Sequence, residues 1–521
     1  MRFDTVIVGC GTAGSILAAH LTEDPSRTVC AIEAGHDYSS FDELPMSLRA
    51  HRANRSEAGK NPNDPKTVGF PDWGYTARST DLQPRVPLPR GKVIGGSSSV
   101  NGGVFFRALR QDLDEWAAAG NPSWEFDRCL PFFKSIEHDY DFNDEFHGSA
   151  GPIPVHRPAE QDWAPLNAAF YEACQALGYP SCPDFNRPDT WGVGPIPRNI
   201  HEHTRYGAAI GFLLPVHERQ NLTILSDALA TRIVFSGAAA QGVEVIVDGR
   251  PRLIEADQVL LTAGAVGSPH LLMLSGIGDA RHLRSFGIPV VADLPGVGQN
   301  LRDHPTLCAS WATGEVTYPA EAGTSGQVGM RADTPGSADP LDMRLMSFRG
   351  EGQGRFGVPF SLMHADSAGE VRLASADPEA PPLLDLRHLH ERSDLTRMRT
   401  MLEVAIEVVG QAAYKRYAPV QLEPGPEVLA DDAALEAWML RNVITGEHAT
   451  STCKMGPESD PMAVAGENGR VHGTERLRVI DCSLMPDCPR VNTNATTMMI
   501  AQKLAATLVA GTRPASLKEA S

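Results

Sequence analysis

Long hydrophobic runs are missing from this sequence of 521 residues, and so is any excess of positive charge. Without an apolar stretch of about 20 residues, no segment is predicted to span a membrane as a helix. Lysine and arginine together number 46 against 64 aspartates and glutamates, which gives a formal net charge of −18. Because nucleic acids and anionic membrane surfaces attract basic proteins, this charge argues against either as a partner.

Cysteine is scarce and scattered. The nine cysteines form no Cys-x-x-Cys pair, and none of the 17 histidines lies in a His-Glu-x-x-His pattern. The first predicted strand begins by Thr5, which leaves no room for a signal peptide. An odd, dispersed set of cysteines is typical of reduced thiols, so we expect a cytoplasmic protein that binds no metal.

What the sequence does contain, close to its start, is a glycine-rich turn between a strand and a helix. A β-branched strand leads into Gly9-x-Gly11-x-x-Gly14, a helical pattern follows, and a second apolar strand ends in Glu33. Here Gly9 permits the tight turn, Gly11 lets the backbone approach a pyrophosphate, and Gly14 lets helix and strand pack closely. The helix N-terminus offers N–H groups to phosphates, and the Glu33 carboxylate can accept ribose hydroxyls. The pattern favours an adenine dinucleotide site over a purely structural turn, but by itself it does not distinguish NAD from FAD.

A second glycine-rich and serine-rich stretch covers residues 90–103. Its small residues cannot pack a core, but they suit a backbone that lies against a flat ligand and offers N–H groups. Val93, Ile94 and Val100 are regularly interleaved, which a flexible linker would not need. We therefore favour ligand contact over a linker.

Four other stretches give the predicted architecture. Residues 36–80 are polar and proline-rich and are predicted to form a long loop or lid, whereas residues 222–247 alternate in polarity and predict antiparallel strands. Residues 395–409 form an amphipathic helical pattern. Near the C-terminus, Asn494 is predicted to cap a helix over residues 495–509.

Three further motifs, together with the glycine turn, resemble one known family. The segments are residues 91–101, residues 264–278, and the pair formed by residues 448–456 and 491–495. They resemble the two signatures and the C-terminal catalytic region of the glucose–methanol–choline family of FAD-dependent oxidoreductases. The resemblance runs from residue 4 to about residue 510, and it implies FAD as the cofactor.

The resemblance also implies an α/β fold with two domains. The first is a Rossmann-type FAD-binding domain, discontinuous in sequence, over residues 1–155, 215–305 and 445–512. The second is a substrate domain with an antiparallel sheet and helices, over residues 156–214 and 306–444.

Residue by residue, the resemblance implies a set of FAD contacts. The ADP half would be held by Gly9, Gly11, Thr12, Ala13, Glu33 and Ala34, with Gly14 closing the turn and Ala230 at the adenine. The flavin would be followed by Val93, Gly96, Asn101, Gly102, Gly103 and Val104, and its ribityl and pyrimidine end by Asp481, Asn494 and Ala495. Val100 stands where some members carry a flavin-linking histidine, so the FAD is expected to be non-covalent.

The catalytic pair implied by the resemblance is His448 and Asn492. Alcohol oxidation needs a base for the hydroxyl proton while a hydride passes from carbon to flavin N5, and histidine suits this because its pKa lies near neutral. Asn492 can orient the alcohol oxygen without titrating. The expected substrate is a small alcohol, which becomes an aldehyde or a ketone.

Two alternatives to an oxidase stay open. One is a dehydrogenase that passes electrons to an acceptor other than oxygen, such as a quinone, a protein carrier or mycofactocin. The other is a lyase on the same fold, in which the flavin does no redox work.

Overall fold

The computed structural model describes residues 1–49, 71–314, 316, 326–349 and 354–510. The middle of the predicted lid, residues 50–70, therefore lies outside the described residues, as do residues 511 and 512 of the predicted FAD domain. Within the described ranges, none of the helices combines the length and the apolar character that a membrane span requires.

A seven-stranded sheet gathers strands from distant parts of the chain. Its strands are Arg2–Val8, Val29–Ile32, Leu222–Leu225, Ala228–Ser236, Ala239–Val247, Arg250–Leu261 and Leu477–Val479. Strand Arg2–Val8 lies at the centre and pairs in parallel with Val29–Ile32 on one side and Arg250–Leu261 on the other. Its residues Val6 and Ile7 are fully buried, as expected for a parallel strand covered on both faces.

The antiparallel prediction for residues 222–247 is confirmed for two strands and wrong for the first. Ala228–Ser236 pairs antiparallel with Ala239–Val247, whereas Leu222–Leu225 pairs in parallel with Val29–Ile32. Alternating polarity indicates which faces of a strand are buried, but it carries no information on the direction of the neighbouring strand.

Glycines close the turn after strand Arg2–Val8. Gly9 has a φ of +99°, and a Cβ on Gly14 would lie only 1.9 Å from the Gly9 carbonyl oxygen. Helix Thr12–Leu21 can therefore lie directly against the strand, and it also packs against the C-terminal helix Thr493–Ala510.

The predicted cap at Asn494 is wrong. Helix Thr493–Ala510 begins two residues before the predicted start at residue 495, so Asn494 lies within its first turn. Its side-chain Oδ1 accepts a hydrogen bond from Thr12 Oγ1 at 3.3 Å, which joins the N-terminal ends of the two helices.

The second sheet is antiparallel and has eight strands. They are Gly192–Pro195, Pro305–Ala312, Val328–Ala332, Met343–Met346, Phe348–Arg349, Arg355–Leu362, Val420–Glu423 and Ile444–Thr445. Helices Pro165–Ala176 and Arg392–Val409 pack on it and close an apolar core that includes Phe170, Phe356 and Met398.

The remaining elements surround these two sheets. Among the described residues, the other α-helices are Met46–Arg49, Arg110–Ala118, Phe126–Ile136, Gly264–Leu274, Ala280–Ser285, Ala412–Lys415, Pro426–Leu429 and Asp432–Asn442. Short strand pairs are Thr76–Ala77 with Val86–Pro87, Glu137–Asp139 with Ile153–Val155, Ile200–His201 with Thr204–Arg205, Ile277–Gly278 with Ala292–Asp293, and Glu370–Arg372 with Leu383–Asp385.

The α/β class is confirmed. The seven-stranded sheet lies within residues 1–155, 215–305 and 445–512, which the sequence assigns to the FAD-binding domain. The eight-stranded sheet lies within residues 156–214 and 306–444, the predicted substrate domain, except for its end residues Pro305 and Thr445. We retain those ranges as a proposal for the domain division.

Candidate active site

A deep cavity of about 460 Å³ runs from the glycine turn at Gly9 to the side chains of His448 and Asn492. This volume is typical of sites for small molecules and cofactors. The cavity begins beyond the carboxyl ends of the parallel strands Arg2–Val8 and Val29–Ile32, where doubly wound sheets bind their ligands.

Most of the residues predicted to bind FAD or to act on the substrate line this cavity. They are Gly9, Gly11, Thr12, Ala13, Glu33, Ala34, Gly96, Asn101, Gly102, Val104, Ala230, His448, Asp481, Asn492 and Asn494. Four predicted residues are not part of its lining. Gly14 packs against Gly9, Val93 and Ala495 are buried in the core, and Gly103 forms a turn in which its N–H donates to Asn101 Oδ1.

Glu33 lies at the end of the cavity nearest the glycine turn and is held firmly in place. Its two carboxylate oxygens accept the backbone N–H groups of Cys10 and Gly35, at 2.9 and 2.8 Å. Burial raises the pKa of Glu33 to about 7, although these hydrogen bonds oppose the shift. Each carboxylate oxygen keeps a second acceptor position, so the residue can still accept a ribose hydroxyl.

The cavity wall fits an FAD molecule. A Cβ on Gly102 would meet no atom within 4 Å, so the backbone there faces open space on which a flat ring can lie. The Nδ2 atom of Asn494 and the Nε2 atom of His270 are buried in the wall without a hydrogen-bond partner among the described residues. Helices Thr12–Leu21 and Thr493–Ala510 both begin at the cavity, where their N-termini favour phosphate and negative charge.

At the other end of the cavity, His448 belongs to a chain of hydrogen bonds between side chains. Its Nδ1 lies 2.8 Å from Nδ1 of His304, and its Nε2 lies 2.8 Å from Nδ2 of Asn492. The far side of His304 contacts the carbonyl oxygen of Pro489 at 3.1 Å, and Oδ1 of Asn492 accepts a hydrogen bond from Arg344.

The two ends of this chain fix where its hydrogens lie. The Pro489 carbonyl can only accept, and the Cys488 thiol, whose Sγ lies 3.2 Å from Nε2 of His304, donates to the His448 carbonyl. Nε2 of His304 therefore carries a hydrogen and its Nδ1 is an acceptor. His448 must therefore donate from Nδ1, which leaves a lone pair on its Nε2. Arg344 can only donate, so the amide of Asn492 is oriented with its NH₂ group towards that lone pair. The arrangement presents His448 as a neutral base at the cavity.

The electrostatics of the site keep both histidines neutral. Burial lowers the pKa of His448 well below its usual range, and His304 and Arg344 act in the same direction. Burial likewise lowers the pKa of His304 to about 3. The carboxylate of Asp303 accepts the backbone N–H of His448 at 2.9 Å, and although burial opposes it, the hydrogen bond with His388 holds the pKa of Asp303 well below its usual range.

Comparison with known proteins identifies the family. The model of the GMC oxidoreductase N-terminal domain matches residues 3–306, and that of the C-terminal domain matches residues 365–501. The chain belongs to the GMC oxidoreductase family.

Relatives of this GMC oxidoreductase match it over nearly the whole chain. It is 36% identical to an uncharacterised GMC-type oxidoreductase of Rhodococcus erythropolis, with 97% of this chain and 98% of the relative covered. It is 34% identical to the mitochondrial choline dehydrogenase of Homo sapiens, with 97% and 89% covered. The crystal structure of pyridoxine 4-oxidase from Mesorbium loti superposes with a TM-score of 0.89 at 29% identity, with 98% and 99% covered.

Sequence reasoning missed two side chains of the GMC site, His304 and Arg344. His304 ends a glycine-rich turn, and the sequence of that turn does not indicate a contact between His304 and His448, which lies 144 residues later. Arg344 carried a clearer signal, since it is a charged residue flanked by Met343 and Leu345 in a strand. The aromatic wall formed by Trp73 and Tyr75 was also missed.

Proposed function

We propose that this GMC oxidoreductase oxidises a small alcohol to an aldehyde or ketone, with His448 as the base and Asn492 orienting the alcohol oxygen. One observation carries the proposal: the hydrogen-bond chain gives a buried, neutral His448 a lone pair on Nε2, next to an amide N–H donor. FAD, when bound, supplies the acceptor for the hydride that leaves the alcohol carbon.

The residues divide the proton chemistry between them. In the structure the lone pair on Nε2 of His448 accepts the amide N–H of Asn492. An alcohol oxygen entering between the two side chains would replace this hydrogen bond, donating its hydrogen to Nε2 of His448 and accepting one from Nδ2 of Asn492. After taking the proton, His448 keeps its Nδ1–H donated to His304 and faces the nearby carboxylate of Asp303, which stabilises the new positive charge. A positioned base of this kind typically contributes about 10²–10⁴-fold to the rate.

For the cofactor, we propose that the predicted residues along the cavity hold FAD without a covalent bond. The support is the cavity wall itself and the aliphatic side chain of Val100 at the position where a linking histidine occurs in some members. Acid precipitation should release all the yellow flavin into the supernatant. Colour that stays with the pellet would contradict non-covalent binding.

The substrate class rests on the relatives. Choline and pyridoxine, named in two of them, are small molecules with a primary alcohol. We propose that the substrate of this chain is also a small alcohol, and that oxygen or another electron acceptor reoxidises the flavin.

Anaerobic flavin reduction tests the function. The purified holoenzyme should lose its yellow colour when mixed with a reactive member of a panel of small primary and secondary alcohols. An alcohol that is consumed while the flavin stays oxidised would indicate a lyase instead. Once a substrate is found, turnover in an oxygen electrode with and without an artificial acceptor separates an oxidase from a dehydrogenase.

A further inference from the structure

Arg344 is a buried charge beside the catalytic pair. It lies in the middle of strand Met343–Met346, and only 9% of the residue is exposed. Its Nη1 donates to Oδ1 of Asn492, while its Nε is buried and has no hydrogen-bond partner among the described residues. The guanidinium therefore has donors to spare directly beside Asn492, which lines the cavity where the substrate is expected to bind.

No carboxylate among the described residues forms an ion pair with Arg344, in contrast to a nearby arginine. Arg490 pairs with Asp112, Glu115 and Asp339. Removing Arg344 from water lowers its pKa to about 10, and the neighbouring positive charge of Arg331 adds to this effect. Burying an unpaired charge is unfavourable. The buried Arg331 has backbone carbonyls as acceptors, whereas Arg344 has only the amide oxygen of Asn492 among the described residues, which points to a negative charge supplied by a ligand.

The surroundings of Arg344 limit the direction from which a negatively charged ligand can reach its guanidinium. Arg344 also borders a cavity of only about 10 Å³, which is lined by apolar side chains such as Met346 and by Arg331 and Arg490. This space holds at most one water molecule. An anion must therefore approach from the side of Asn492, which also lines the main cavity.

We propose that Arg344 binds a carboxylate carried by the alcohol substrate, so that the enzyme oxidises a small hydroxy acid or hydroxymethyl-substituted acid. This inference rests on the proposed function. The planar guanidinium matches a carboxylate, which can accept two parallel N–H bonds. Since the two ends of one amide, that of Asn492, contact Arg344 and His448, the carboxylate and the alcohol group of the substrate are only a few bonds apart.

The same residue would discriminate against cationic alcohols. Choline carries a quaternary ammonium group, and a buried guanidinium would repel it in a medium where charges are weakly screened. The chain would therefore differ in substrate charge from its relatives named choline dehydrogenase, although it shares their fold and family.

Matched pairs of alcohols test the proposal by anaerobic stopped-flow reduction of the flavin. The pairs are 3-hydroxypropanoate with 3-hydroxypropanamide, and 4-(hydroxymethyl)benzoate with 4-(hydroxymethyl)benzamide. For at least one pair, the wild-type enzyme should favour the acid over the amide by about 10- to 150-fold in reduction rate over dissociation constant, as expected for hydrogen bonds to a charged group.

Two variants then ask whether Arg344 causes the preference. Arg344→Gln should bring the ratio of acid to amide close to one, and Arg344→Lys should keep part of it, because lysine retains the charge but not the two-pronged geometry. The ratio isolates the carboxylate contact, since both alcohols depend on Asn492. Arg331→Gln is the matched control: its guanidinium already donates to the Phe185 and Thr190 carbonyls, so the preference should persist.

A binding measurement separates failure of this inference from failure of the proposed function. Benzoate, which cannot be oxidised here, should bind the oxidised holoenzyme in a calorimetric titration, whereas benzamide should bind at least 10-fold more weakly. Arg344→Gln should abolish the difference between benzoate and benzamide. If that variant does not fold, Arg344→Lys should reduce the difference, and an unchanged difference there would overturn the proposal.

The outcomes are distinct. Equal reduction by acids and amides in the wild type, or an unchanged preference in Arg344→Gln, overturns the carboxylate site while the function stands. Inorganic phosphate that competes as well as benzoate would assign Arg344 to phosphate esters and overturn the carboxylate class. Flavin that stays oxidised with every alcohol overturns the proposed function and the substrate class with it, but the benzoate titration still decides whether Arg344 binds a carboxylate.

Discussion

The two ends of the long cavity are built in different ways. At the glycine turn, the lining comes largely from contiguous runs, such as Gly9 to Ala13 and Glu33 with Ala34. At the proposed catalytic end, the residues come from four separate segments that meet only in the folded chain: His304, Arg344, His448 and Asn492.

The difference follows from what each end must do. A pyrophosphate is recognised by backbone N–H groups and a helix N-terminus, which a short local motif can provide. A base needs a defined tautomer, and here that tautomer depends on a carbonyl, a second histidine, an amide and a guanidinium acting in series. The glycine end should therefore control FAD occupancy, and the catalytic end should control the rate of flavin reduction.

The largest expected effect is that of His448→Ala. Losing the base should slow anaerobic flavin reduction by about 10²–10⁴-fold, while FAD stays bound because His448 is remote from the glycine turn. Stopped-flow absorbance measures the rate, and His472→Ala, at a half-buried histidine outside the cavity, is the control. A near wild-type rate in His448→Ala would mean that the base has been wrongly assigned.

Glu33→Ala should weaken FAD binding and leave the rate of flavin reduction nearly unchanged, the reverse of what is expected for His448→Ala. The loss of charge-assisted hydrogen bonds to the ribose should weaken FAD binding by about 10- to 150-fold, so the protein should purify with partial occupancy. With saturating FAD, the reduction rate should stay near that of the wild type. Asp4→Ala, at an exposed carboxylate on the neighbouring strand Arg2–Val8, should leave occupancy unchanged. Full occupancy in Glu33→Ala would make the residue merely structural.

Asn492→Ala should slow flavin reduction less than His448→Ala does. It removes one hydrogen bond to the alcohol oxygen, worth about 0.5–1.5 kcal/mol, which corresponds to roughly 2- to 13-fold. Single-turnover reduction of both variants under the same conditions gives the comparison. A loss as large as that of His448→Ala would show that the two residues act as one unit.

The smallest effect is expected from pH in the neutral range. His448 acts as a base only when neutral, and its pKa is lowered by burial, His304, Arg344 and Arg90, with Asp303 opposing them. A lowered pKa keeps the base available in more acidic solution, so the reduction rate should be flat from pH 8 to 6.5 and fall only below that. A midpoint near pH 7 would contradict the hydrogen-bond chain. Arg344→Gln removes a positive neighbour and should move the acid limb to higher pH.

The sequence by itself determined the glycine-turn end of this protein. The order of strand, glycine turn, helix and acid prescribes local geometry, because a Cβ on Gly14 would collide with the carbonyl oxygen of Gly9, only five residues earlier. Matches to family motifs added His448, Asn492 and the α/β class with two sheets.

Only the tertiary structure decided how the catalytic end works. Whether Leu222–Leu225 runs parallel, or where helix Thr493–Ala510 begins, depends on partners from distant segments. The same holds for His304 and Arg344, since hydrogen-bond direction and charge pairing are properties of neighbours in space. Their separation along the chain gave the sequence no sign of these contacts, and the fold placed His304 against His448 and Arg344 against Asn492.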